Sequence, residues 1–102
     1  MKQAKDMGII SISGHAFEIK HVDGLCDEAG NPLRGQCRHD ARQIALDPQM
    51  TTAQRKETVL HETLHSILFL AGYSEASMNE GVVTALANGL MSVRINGKTL
   101  IR

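Results

Sequence analysis

A change of hydrophobic period near the middle of the chain constrains the fold more than any other feature. Before Asp47-Pro48 the pattern alternates: Phe17, Ile19 and His21 interleave with Glu18 and Lys20 between Gly14 and Gly24, and Ile44 and Leu46 share one face of residues 42–47. A period of two belongs to half-buried strands, and a proline stops the last of them. Residues 9–13 are a further strand candidate, and residues 26–35, with Gly30-Asn31-Pro32, read as a loop or hairpin turn. Beyond Pro48 the period becomes helical. Thr51-x-x-Gln54 is a capping-box pattern and Gly72 stands where a C-terminal cap belongs, which predicts a helix over residues 52–71. Val59, Leu60, Leu64, Ile67, Leu68, Phe69 and Leu70 make its later half apolar nearly all round, as in a helix buried on most sides. A second helix is expected from about Ser77 to Val93, with Val83, Leu86, Leu90 and Val93 at helical spacing, followed by a tail with Asn96-Gly97. The expected class is α+β: a small twisted, mainly antiparallel sheet of two or three strands followed by two packed helices.

The 102 residues suit one domain spanning 1–102, of which folding buries roughly two-thirds of the unfolded surface. Eleven basic residues balance eleven acidic ones, so no long-range attraction draws the chain to nucleic acid or to an anionic membrane. The longest apolar run, residues 66–72, falls far short of the roughly 20 residues of a membrane span. The N-terminal residues lack the apolar stretch of a secretory signal, so a cytoplasmic location is expected. In a reducing compartment Cys26 and Cys37 are expected as free thiols or metal ligands.

The chemistry concentrates in His61-Glu62-Thr63-Leu64-His65. Four residues at 100° each set the two imidazoles about 40° apart around a helix and one turn apart along it, so both reach one metal ion. Zinc takes neutral imidazole nitrogen, and a catalytic site keeps three protein ligands and an open fourth position. Glu62 lies beside that face, where its carboxylate can take a proton from an attacking water. On this composition, about 0.01 matches to the pattern are expected by chance. The extended His-rich pattern is excluded, because Leu68 and Ala71 occupy the places of its glycine and third histidine. The third ligand is then sought in the next helix. Glu80 opens it and leads into Val82-Val83, although Ser77-x-x-Glu80 is also a capping box; Glu75 is the other candidate.

The stretch Val59–Leu68, followed by Asn79–Leu90, resembles the small zincin-like metallopeptidase domains of phages and prophages related to the ImmA/IrrE group. The resemblance covers about residues 8–93. It implies His61, His65 and Glu80 as zinc ligands, Glu62 as catalytic base, a gluzincin-like hydrolase acting on a peptide or protein substrate, and a minimal zincin fold. The rival class is a zinc-stabilised binding or regulatory module that cuts nothing.

Other residues carry weaker expectations. His21, Cys26, Cys37 and His39 have the residue types of a second zinc site, without a familiar spacing. Tyr73 is a candidate hydrogen-bond donor to an oxyanion. Gly89, inside the second helix, suggests close backbone approach by a neighbour. The strand at residues 42–47 is the candidate edge for holding an extended substrate.

Overall fold

The computed structural model describes residues 6–100. Four strands come first: β1 (Asp6–Ile12), β2 (His15–His21), β3 (Gly35–Arg38) and β4 (Gln43–Leu46). They form one sheet in the order β1-β2-β4-β3, in which β2 and β4 run parallel and the other pairs antiparallel. The sheet is therefore mixed and has one strand more than the pattern suggested. The missed strand is Gly35-Gln-Cys-Arg, which has no hydrophobic alternation to announce it. Its insertion also overturns the expected edge: β4 lies between β2 and β3, so β3 holds the open edge on the helix side of the molecule.

Helix α1 (Thr52–Leu70) starts as expected, with Thr51 accepting from the Gln54 N–H and Gln54 reciprocating to the Thr51 N–H. It is less buried than its composition implied, since Ile67 and Phe69 are exposed. Two faces of α1 make two separate cores. Val59 and Leu70 pack against the sheet core of Ile12, Phe17, Ile19, Ile44 and Leu46. Leu60, Leu64 and Leu68, at helical i, i+4, i+8 spacing, meet Val83, Ala87 and Leu90 of the next long helix.

The second expected helix, about residues 77–93, is α3 (Glu80–Ser92), and a single turn, α2 (Ser74–Ser77), occupies the connection before it. Asn79 caps α3 by accepting from the Val82 N–H at 3.1 Å. Ser77 therefore does not cap α3, and Glu80 is its first residue rather than the third residue of a capping box. Gly89 has nothing within 4 Å of the position a Cβ would take, so no intrachain contact explains it. The tail closes as a hairpin of β5 (Arg94–Ile95) and β6 (Lys98–Thr99), with Asn96 and Gly97 both at positive φ, the conformation an Asn-Gly pair adopts in a type I′ turn. Among the described residues, no helix is long and apolar enough to cross a membrane.

Candidate metal centre

Helix geometry brings His61 and His65 together as their spacing requires. Their Nε2 atoms lie 3.2 Å apart and their rings meet edge to face, with centroids 4.9 Å apart. The packing of Val83 and Ala87 against α1 then carries the N-terminus of α3 over this pair, and the Glu80 carboxylate closes the triangle. One of its oxygens is 2.9 Å from His61 Nε2 and the other 3.3 Å from His65 Nε2. Ligand atoms at about 2.0–2.1 Å from a tetrahedral zinc stand roughly 3.3–3.4 Å from one another. The two carboxylate contacts run to different oxygens; taken as one ligand atom per residue, the three groups lie within 4.8 Å of one another, near enough to converge on one ion.

The second nitrogen of His65 sharpens this assignment. Its Nδ1 contacts the Ser77 carbonyl, which can only accept, so Nδ1 carries the proton. A neutral ring then turns an unprotonated Nε2 toward a carboxylate and a second imidazole nitrogen. Two acceptors facing each other at 3.3 Å repel unless a cation lies between them. A second proton relieves one such contact, whereas a metal ion satisfies all three groups at once. Ser77 is buried and grips His65 twice, since its Oγ also donates to the His65 carbonyl at 2.7 Å. Fixing the outer nitrogen of a ligating histidine in this way is what metal sites require of their surrounding residues. The Glu80 side chain is 71% exposed, which leaves the site open on that side.

Glu62 lies beside the triangle, only 7% exposed, and its carboxylate accepts from the backbone N–H of Cys37. Burial pushes this carboxyl above the ordinary range; His65 and His61 pull it back, and the neighbouring Glu80 charge pushes it further. The donor to Glu62 is available because of strand register. Asp47 N–H bonds the Arg34 carbonyl at 2.8 Å, so Arg34, Gln36 and Arg38 take the hydrogen-bonded positions facing β4. The N–H and carbonyl groups of Gly35 and Cys37 point away from it.

Strand β3 runs beside α1 with matched steps. Two strand residues advance about 6.6 Å and four helix residues about 6 Å. Accordingly, Gly35 sits against Thr58 and Glu62, Cys37 Sγ lies 2.7 Å from Ser66 Oγ, and the His39 ring stacks on Phe69 at 4.1 Å with 10° between planes. Gly35 is dictated by this approach: a Cβ there would lie 2.5 Å from Thr58 Cγ2 and 3.2 Å from Glu62 Cγ. Two grooves flank the triangle. One of about 480 Å³ is lined by Leu33, Thr58, His61, Glu80, Thr84 and Ala87, and one of about 370 Å³ by Cys37, His39, Glu62, His65, Met78 and Glu80.

Of the expected site residues, the structure brings together His61, Glu62, His65 and Glu80. Among the described residues, His61, His65 and Glu80 form the one cluster of three or more possible metal ligands, and it leaves out Glu75. His21, Cys26, Cys37 and His39 do not assemble into a second such cluster; only Cys37 and His39 meet, at 3.4 Å. Tyr73 is exposed and lines neither groove. Spacing alone missed Gly35 and Ser77, and it offered Cys37 and His39 only as ligands of a second zinc site. The strand that places Gly35 and Cys37 beside α1 has no hydrophobic alternation to announce it. No family model matches the chain, and neither a curated protein nor a solved structure matches it.

Proposed function

We propose that this chain is a zinc-dependent metallopeptidase of the minimal zincin type, related to the ImmA/IrrE-like group that its motif resembles. The observation that carries the reading is the His61–His65–Glu80 triangle with a buried carboxylate, Glu62, beside it. A zinc ion held there would polarise a peptide carbonyl and lower the pKa of a water toward about 7.

The residues divide the remaining work. His61, His65 and Glu80 hold the ion. Glu62, with its affinity for a proton raised by burial, takes one from the attacking water and passes it to the leaving nitrogen. As the water oxygen bonds the carbonyl carbon and the C–N bond breaks, the products are a carboxylic acid and an amine. The outer edge of β3 offers the Gly35 N–H and the Gly35 and Cys37 carbonyls to an extended peptide, which positions its scissile bond over Glu62. The edge role thus moves from β4 to β3.

Zinc analysis of protein purified without added metal tests the first half of the reading. One zinc per chain is expected, lost in His65→Ala and weakened in Glu80→Gln; a chain without zinc, or zinc that survives both changes, sinks the assignment. Glu62→Gln tests the second half. It should keep the zinc and abolish cleavage of a peptide mixture followed by mass spectrometry. A protein that binds zinc and cleaves nothing in either form is the zinc-stabilised binding module instead.

A further inference from the structure

The groove beside His65 contains a hydrogen-bonded chain that the hydrolysis described above leaves unused. Ser66 is fully buried on α1, and its Oγ lies 2.7 Å from Cys37 Sγ, which in turn lies 3.4 Å from His39 Nδ1. When the Ser66 hydroxyl donates to the sulfur, the thiol proton is directed to Nδ1, and a ring that accepts at Nδ1 carries its own proton on Nε2. Burial favours the protonated thiol that this arrangement needs. Phe69 stacks on the imidazole face and fixes the ring plane against the groove wall.

The other groups on that wall are engaged elsewhere: the Gly35 N–H serves the extended peptide along the β3 edge, and Ser77 Oγ donates to the His65 carbonyl. Glu62 and Glu80 are carboxylates, His65 Nδ1 is committed to Ser77, and the Cys37 N–H is committed to Glu62. Gln36 lies on the opposite face of β3 with its amide oxygen turned to Arg38 Nε at 3.0 Å. His39 remains as a rigid neutral donor.

Resting on the metallopeptidase reading, we propose that His39 donates its Nε2–H to the substrate oxygen that becomes negative during attack, and that Ser66 and Cys37 set the tautomer that makes this possible. As the water oxygen bonds to carbon, the carbonyl π pair moves onto that oxygen and Glu62 takes the water proton. His39 keeps its own proton and only strengthens its hydrogen bond. On collapse the C–N bond breaks and the Glu62 proton goes to nitrogen.

The test uses the zinc-loaded full chain and a phosphinic analogue of a dileucine peptide, whose tetrahedral anionic centre mimics the developing charge. His39→Phe keeps a ring on Phe69 and removes the donor. It should weaken the phosphinic peptide roughly 10- to 100-fold with zinc content unchanged, while His39→Gln, which restores an N–H, recovers most of the loss. Nitrogen-15 NMR of the histidine rings supplies a readout independent of any ligand: His39 should be the Nε2–H tautomer in the native chain and lose that preference in Cys37→Ala. An Nδ1–H tautomer in the native chain, or phosphinic affinity unmoved in His39→Phe while zinc is retained, overturns the proposal and leaves the metal centre standing. Absence of zinc from the native chain defeats both.

Discussion

At the scale of single residues, the positions that matter split by how far their partners lie along the chain. His61, Glu62 and His65 were legible because one helix turn supplies their whole geometry. Glu80 was legible as one of two candidates, and the ambiguity with a cap disappeared because Asn79 takes the capping role. Ser77 was not legible, since its value lies in reaching back to His65 across a chain reversal. Ser77→Ala tests that role. It removes the Oγ bond to the His65 carbonyl, so a stability loss of about 1 kcal/mol is expected in denaturant unfolding. The ring of His65 is also less well held, so zinc affinity should fall on the order of tenfold in a competition titration with a chelator. Native zinc affinity together with native stability in this variant would show that the clamp is incidental.

Among the elements, the approach of β3 to α1 decides where the Glu62 carboxylate finds its backbone donor. Strand β3 was invisible in the sequence because its four residues are a glycine, two polar residues and a half-buried cysteine; hydrophobic alternation reports burial against a core, whereas this strand is fixed by helix contact and by pairing with β4. The capping box, the Asp47-Pro48 stop and the α1 boundaries were readable because local residues determine them. Gly35→Ala probes the contact directly. Its Cβ would enter the space of Thr58 Cγ2, so the strand must move away from the helix, with a destabilisation of roughly 1–3 kcal/mol. Thr58→Ala removes the opposing methyl. In the double variant, part of the loss should be recovered, giving a non-additive cycle. Additive effects would mean that the clash is absorbed elsewhere, and the matched step between strand and helix would then not be what fixes Gly35.

Over the whole molecule, α1 is shared between two cores that do not merge: a larger one under the sheet, and a smaller one where Leu60, Leu64 and Leu68 meet Val83, Ala87 and Leu90. Helix α3 is held to the rest mainly through the smaller core, and its outward side leaves Val82 and Leu86 exposed. Glu80, its first residue, reaches the two α1 histidines, so a metal at that point would join α3 to α1. Ligand binding to the folded state alone stabilises it by mass action, about 2.7 kcal/mol when free zinc is 100 times its dissociation constant. For a domain of this size, that corresponds to a rise in Tm of roughly 10–20 °C. Removing the metal with a chelator should therefore lower Tm by a similar amount. Hydrogen exchange should show the loss first at residues 80–92, while the amides of β2 and β4, on either side of the buried Phe17, Ile44 and Leu46, keep their protection longest. Equal loss of protection throughout would mean that the two cores unfold as one unit. A chelator that changes neither Tm nor exchange would show that three acceptors converge here without a metal, and a proton shared among His61, His65 and Glu80 would then account for the triangle.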